Sequence, residues 1–144
     1  MDDRAELYDA LLAEELRKPV EYFKHDVSAH DDDALLSLVY EHGMAYYGLY
    51  WLLAEKLYER KSHMYDLGEP AEAHRLAADL GSMHPISRED ALAFVQRLAE
   101  HGLIDREVFA ESGRVIMARV AENVRQVAEM KASRRLGGAM RRRD

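Results

Sequence analysis

The chain has 144 residues and no cysteine, so it can form neither a disulfide nor a thiolate metal site. It has only three prolines and eight glycines, and this scarcity of helix-breaking residues predicts a mainly helical protein. No apolar run approaches the roughly 18 residues of a membrane span. The start, MDDRAELYD, is acidic, unlike the basic start of a signal peptide. These absences favour one cytoplasmic domain without membrane contact.

Negative charge predominates, with a net charge of −7, but it is unevenly distributed. Residues 1–60 carry 6 basic and 14 acidic side chains, a net charge of −8. Residues 103–144 carry 10 basic and 6 acidic side chains, a net charge of +4. A polyanion such as DNA would therefore be repelled by the first segment and attracted to the last.

The stretch from Tyr22 to Glu59 holds the single tryptophan and the densest apolar run. Its first helix is predicted to begin after the acidic run, with Asp31 or Asp32 as N-cap, and to end at Gly43. A second helix, from about Met44 to Glu59, is apolar over much of its girth, with side chains at spacings of three and four: Tyr46, Leu49, Tyr50, Leu53 and Leu57. A helix of this kind is covered on several sides, so we expect it to be the central helix of one core.

Both ends of the chain are predicted to be helical. Residues 2–17 form an amphipathic pattern that ends at Pro19; this helix either lies on the domain's own core or makes a dimer contact. Residues 119–135 repeat apolar side chains at helical spacing, again for packing on the domain or for a contact between two chains. The tail LGGAMRRRD is expected to be disordered.

The middle of the chain has the pattern of a helix-turn-helix. Residues 61–67 suggest a short strand, and Pro70 suits the first turn of a helix over 70–80. The capping box from Ser87 to Asp90 opens a second helix over 88–101. Residues 103–109 are expected to form a strand, 110–113 a turn, and 114–117 the return strand, which together would be a wing.

The predicted fold is therefore mainly α with a small β-hairpin wing, a winged helix-turn-helix with extra N- and C-terminal helices. We divide the chain into an N-terminal amphipathic helix (1–19), a winged-helix domain (20–118), and a C-terminal helix with a basic disordered tail (119–144). One domain of this size can bury a sizeable core.

The pattern FxHDxxAxxD, followed by an apolar helix and GMxxYGLYWLLxExLYE, resembles the N-terminal domain of phage replisome organisers and related DnaD-like replication proteins. The residues that carry it, which we interpret as structural, are His25, Asp26, Gly43, Tyr47, Gly48, Tyr50 and Trp51. That family usually has glycine where this chain has Tyr46. The resemblance implies a DNA-binding, oligomeric replication-initiation module that contacts replication proteins such as a helicase loader.

Histidine and carboxylate side chains cluster at His25, Asp26, His30 and Asp31, with His42 further on. These are metal-ligand types, but the segment precedes a helix, where the aspartates have a capping role, and no HExxH-like motif supplies further ligands. We therefore predict no metal site. GxSxG, GxxxxGK[ST] and GxGxxG are absent, so we expect neither an enzyme nor a cofactor.

DNA binding is the function that the predicted fold favours. The second helix of the motif would present Arg88, Gln96 and Arg97 to the major groove, although acidic neighbours oppose this. The wing would add Arg106 and Arg114, and the tail Arg134, Arg135, Arg141, Arg142 and Arg143. These arginines can bind phosphate without reading sequence. The alternatives are a winged-helix scaffold for protein interaction or oligomerisation, a homodimer included, and a transcriptional regulator.

Overall fold

The computed structural model describes residues 3–21 and 32–143. These ranges contain α1 (Asp3–Glu15), α2 (Asp33–His42), α3 (Ala45–Glu59), β1 (Tyr65–Asp66), α4 (Pro70–Leu80), α5 (Arg88–Glu100), α6 (Arg106–Ser112), β2 (Arg114–Val115) and α7 (Ala118–Arg143). The predicted mainly helical class is confirmed. None of the helices in these ranges combines the length and apolarity needed to cross a membrane.

The helix boundaries follow from local capping chemistry. The Asp32 carboxylate accepts a hydrogen bond from the backbone N–H of Leu35 at 3.1 Å and begins α2. Gly43 has a φ of +98°, which only glycine adopts at low cost, and ends that helix. Ser87 accepts from the backbone N–H of Asp90 at 3.0 Å and begins α5. The predicted caps Asp32 and Ser87 and the predicted end of α2 at Gly43 are confirmed, whereas α5 ends at Glu100, one residue before the predicted end.

Helix α3 is the centre of the main core and packs against α2, α4 and α7. Leu53, Ala54 and Leu57 are fully buried. The surrounding helices contribute Leu35 and Leu38 from α2, Leu76 and Leu80 from α4, Phe94, Val95 and Leu98 from α5, and Val120 and Val124 from α7. One continuous core thus holds five of the helices together, as the sequence predicted for this segment.

The sheet consists of two short antiparallel strands, in which Tyr65 of β1 lies opposite Val115 of β2. The predicted wing is wrong: residues 103–109 form no strand, 110–113 are not a turn between strands, and β2 pairs with β1 instead. Asp105 is an N-cap whose carboxylate accepts from the N–H of Val108 at 3.0 Å, and it begins α6. Gly113, with a φ of +74°, ends that helix. An Asp cap at one end and a left-handed glycine at the other are helix signals, and they prevail over the strand preference of Val108 and Phe109 between them.

A second, smaller core joins the two ends of the chain. Leu11 of α1 packs against Ala132 and Leu136 of α7, with four partly buried side chains around them: Leu7, Tyr8, Leu12 and Met140. The predicted disordered tail is therefore wrong up to residue 143, because Leu136 and Met140 extend the apolar stripe of α7 along α1. Helix α1 meets α7 of its own chain, away from the main core.

One buried carboxylate fixes this pair of helices. Glu15 is only 6% exposed, and its carboxylate accepts from Lys18 Nζ at 2.9 Å and from an Arg135 guanidinium nitrogen at 3.1 Å. The hydrogen bond from Lys18, with that from Arg135, lowers the pKa of Glu15, against an opposing contribution from desolvation. Glu15 therefore stays ionised between the two cations.

The position of Leu53 at the centre of the core predicts a large loss of stability on truncation. Leu53→Ala should lower the free energy of unfolding by about 2–5 kcal/mol, because it leaves a cavity in closely packed surroundings. Leu36→Ala is the matched control: Leu36 lies on α2 and is 54% exposed, so its loss should be below about 1 kcal/mol. Urea denaturation followed by circular dichroism measures both, and equal losses would contradict the central position of Leu53.

Candidate nucleic-acid interface

Three residues of α5 were predicted to contact base edges in the major groove, and two of them are exposed to solvent. Arg88 and Gln96 are exposed. Arg97 is partly buried: its guanidinium donates a hydrogen bond to the Tyr46 hydroxyl and lies 5.7 Å from the centre of that ring. Arg97 thus ties α5 to α3.

Arg106 has a different position from the one predicted for a wing residue. Its guanidinium donates to the backbone oxygens of Ala99 at 3.1 Å and Glu100 at 2.9 Å. These carbonyls belong to the last turn of α5, where no partner exists within the helix. Arg106 therefore caps the C-terminus of α5, and α6 positions it there.

Arg114 remains on the surface of the small sheet. About half of its side chain is exposed, and its Nε lies 3.8 Å from an Asp66 carboxylate oxygen on the paired strand. An exposed pair at this distance contributes little to stability, so the guanidinium can exchange Asp66 for another anion at low cost.

The largest group of exposed cations lies on the second half of α7. Residues 130–143 contain six basic and no acidic side chains. Five of them follow each other at spacings that place them on one side of the helix, hereafter the basic face of α7: Lys131, Arg134, Arg135, Arg141 and Arg142. All five are exposed.

The basic face of α7 is held by α1. Arg135 pairs with Glu14 at 2.8 Å and Glu15 at 3.1 Å, while Leu136 faces the second core. The other four cations of the face make no ion pair with any residue in 3–21 or 32–143. Sequence reasoning named the arginines but missed Lys131, which the three- and four-residue spacing along the helix could have added.

Two of the family-motif residues, Tyr50 and Trp51, are buried. The Tyr50 hydroxyl accepts from Arg119 Nε at 3.1 Å, and a terminal guanidinium nitrogen of Arg119 lies 3.3 Å from Asp32. The same guanidinium lies 5.3 Å from the ring centre of Trp51. Arg119 of α7 therefore binds the cap of α2 to α3, a role that sequence reasoning missed because Arg119 is far from its three partners in the chain.

The remaining motif residues divide into three cases. Tyr47 meets Trp51 edge to face, with ring centres 6.4 Å apart. A Cβ added at Gly48 would touch nothing within 4 Å, so packing does not require glycine there. His25 and Asp26, and with them the His30 and Asp31 of the predicted cluster, lie outside the described residues.

Comparison with known proteins assigns the chain to a family. Residues 22–118 match the family model described as Lin1244/Lin1753-like, N-terminal. The chain belongs to the Lin1244/Lin1753-like N-terminal family. No curated protein and no solved structure matches it significantly. The Lin1244/Lin1753-like region runs through α2 to β2 and leaves out α1 and nearly all of α7, so the basic face lies outside it.

Within the Lin1244/Lin1753-like region, three potential metal ligands come together. Glu41 and His42 end α2, and His101 follows α5. One Glu41 carboxylate oxygen lies 3.1 Å from His101 Nε2 and 3.7 Å from His42 Nε2. Sequence reasoning considered His42 together with residues before α2 that lie outside the described ranges, and it missed Glu41 and His101. Only the packing of α2 beside the end of α5 reveals the cluster.

A polar network in the same region surrounds Tyr65 of β1. Burial raises the pKa of the Tyr65 phenol above its ordinary value of 10.0, and the Asp79 carboxylate, which accepts from the hydroxyl at 2.6 Å, raises it further. The Arg60 guanidinium lies 4.1 Å from the ring centre and opposes these effects. Tyr65 therefore keeps its proton in the folded state at alkaline pH.

The raised pKa of Tyr65 predicts that the protein loses stability at alkaline pH. As the pH rises above about 10, Tyr65 ionises in the unfolded chain but not in the folded one, so the free energy of unfolding falls by up to about 1.4 kcal/mol per pH unit. Tyr65→Phe should reduce this slope, whereas Tyr40→Phe, at a side chain that is 90% exposed, should keep it. Urea denaturation between about pH 9 and 11 measures the slopes, and parallel curves for wild type and Tyr65→Phe would contradict the network.

Proposed function

We propose that this chain is a DNA-binding module that contacts phosphates through the basic face of α7. One observation carries the proposal: five exposed cations lie on one side of a helix, in a segment without acidic residues, on a chain whose net charge is −7. Such a charge separation attracts a polyanion to one end and repels it from the other.

The dimensions of the face suit a nucleic-acid backbone. From Lys131 to Arg142 the helix rises about 16 Å, at 1.5 Å per residue. Phosphates of one strand of B-DNA follow each other about every 3.4 Å along the axis. The face can thus lie along roughly five phosphates of one strand.

The contacts are mainly independent of base sequence. On α5, Arg88 and Gln96 are available for base edges, but Glu89, Asp90 and Glu100 are exposed beside them and repel phosphate. Arg97 and Arg106 are engaged within the protein, which leaves Arg114 as the additional phosphate ligand outside α7. Contacts between these arginines and phosphates position the protein on the DNA but do not distinguish one base sequence from another.

The fold interpretation that accompanies this proposal is a modified winged helix. Helices α4 and α5 follow β1 in the order of a helix-turn-helix, and β2 returns beside β1. Helix α6 occupies the place in which the first strand of a wing would lie.

The resemblance to phage replisome organisers and DnaD-like proteins supports a role in replication initiation. In that role the chain would assemble on DNA near an origin and bind a replication protein such as a helicase loader. This part of the proposal rests on the motif resemblance.

A salt titration tests the DNA contact. With the four unpaired cations of the basic face and Arg114 each neutralising one phosphate, the logarithm of affinity for duplex DNA should fall with the logarithm of salt at a slope of about −4 to −5. The triple variant Arg134→Gln/Arg141→Gln/Arg142→Gln should reduce the slope by about 2 to 3 units. Fluorescence anisotropy with a labelled duplex and a labelled single strand gives both values.

The control removes the same net charge elsewhere. Arg17, Arg75 and Arg125 are exposed and lie off the basic face, so their triple replacement by glutamine should leave the slope nearly unchanged. An equal decrease of the slope in both triple variants would show that the total charge, and not the basic face of α7, governs DNA binding. Absence of binding to either DNA at low salt would refute the proposal.

A second candidate, a scaffold for self-assembly, is favoured by an exposed apolar patch. Leu36 and Tyr40 lie one turn apart on α2, and Met44 follows that helix; they are 54%, 90% and 70% exposed. Large apolar side chains grouped on a surface mark interaction sites more often than scattered ones do. The patch and the basic face belong to different helices, so assembly and DNA binding are compatible.

Tyr40→Glu tests this patch. If it mediates self-association, the glutamate should abolish the oligomer, because a charge cannot be buried there without a partner. Met83→Glu is the control, since Met83 is 87% exposed and lies between α4 and α5. Light scattering coupled to size exclusion measures the mass. A monomeric wild type at high concentration would rule the scaffold out.

A further inference from the structure

We propose that Glu41, His42 and His101 form a binding site for a divalent transition-metal ion of the zinc class. The ion would join the C-terminal end of α2 to that of α5. The three ligand atoms, one from each residue, all lie within 4.8 Å of one another. Residues 3–21 and 32–143 contain no further group of this kind.

The distances are close to those of a bound ion. Zinc bonds of about 2.0–2.2 Å in a tetrahedral arrangement place neighbouring ligand atoms roughly 3.3 Å apart. The Glu41 carboxylate oxygen lies 3.1 Å from His101 Nε2 and 3.7 Å from His42 Nε2. Small side-chain rotations are sufficient to bring the two imidazole nitrogens and the carboxylate onto one ion.

The donor set selects the class of ion. Two imidazole nitrogens and one carboxylate suit zinc and its neighbours, including cobalt and nickel. Calcium and magnesium prefer all-oxygen environments and would bind poorly. Glu41 contributes one negative charge, so the ion is partly neutralised within the site.

The surrounding charges favour a cation from two directions. His42 is the last residue of α2, and His101 is the C-cap of α5. The C-terminal end of a helix carries a partial negative charge and stabilises positive charge nearby. Two arginines oppose this effect: Arg106, on the last carbonyls of α5, and Arg97, on the hydroxyl of Tyr46.

The two imidazoles are partly pre-positioned. The His42 ring stacks on Tyr46 with ring centres 5.1 Å apart, and it meets the His101 ring edge to face at 6.0 Å. The side chains of His42 and His101 are 22% and 13% exposed, whereas that of Glu41 is 54% exposed. The cluster is therefore open to solvent on the side of Glu41, and water can supply a fourth ligand.

Isothermal titration of tag-free protein with zinc chloride tests the site, with cobalt absorption as a second probe. We expect one zinc per chain and a visible absorption band of tetrahedral cobalt. Free zinc at about 100 times the dissociation constant should raise Tm by at least about 5 °C, because the ion binds only the folded state. Magnesium at the same concentration should leave Tm unchanged.

Variants locate the ion. His42→Gln and His101→Gln should each weaken zinc binding by at least about tenfold, since even outer-shell partners of metal ligands cost 10- to 100-fold. The control His74→Gln/His84→Gln removes two exposed histidines elsewhere and should bind zinc like wild type. Melting curves without zinc verify that each variant is folded.

Two outcomes would overturn the proposal. One is a change in zinc affinity below about threefold in both His42→Gln and His101→Gln. The other is loss of the bound zinc in His25→Gln/His30→Gln with full binding in His101→Gln, which would place the ion at the histidines before α2.

Discussion

Burial of α3 is the constraint on which the rest of the structure depends. Leu53, Ala54 and Leu57 have no exposed surface, and four other helices supply the side chains that cover them. Fully burying a leucine side chain contributes about 1.5–3 kcal/mol relative to leaving it exposed, so no neighbouring helix can leave α3 without a large cost. This requirement brings the end of α2 beside the end of α5, and places the start of α7 against Tyr50 and Trp51.

Polar groups then determine how the helices are oriented around that core. Arg119 binds the Asp32 cap, the Tyr50 hydroxyl and the Trp51 ring, while an Asn123 amide donates to Tyr58 at 2.8 Å. Tyr46 accepts a hydrogen bond from Arg97 and stacks on His42. One large side chain at this position therefore engages a candidate DNA-reading residue and supports a candidate metal ligand.

The sequence predicted those features that local signals determine. Asp32 and Ser87 begin helices through their side-chain oxygens, and Gly43 and Pro70 mark helix ends through their backbone conformations. The spacing of Leu53 and Leu57 identified the central helix. The segment 103–109 was predicted wrongly because its β-branched and aromatic residues favour a strand. The Asp105 cap and Gly113, which flank α6, stabilise a helix instead. The pairing of Arg97 with Tyr46, or of Glu41 with His101, depends on tertiary packing, and no local pattern encodes it.

The contact between α1 and α7 makes the local stability of the protein uneven. Three buried and four partly buried apolar residues, together with the ion pairs of Glu14 and Glu15, hold these helices together, compared with the more than twenty buried residues around α3. Segments with few buried contacts open at lower free energy than the molecule as a whole. The outer half of α7 is therefore attached to the body as an arm that detaches before global unfolding, so its backbone amides should exchange with deuterium earlier than those of α3.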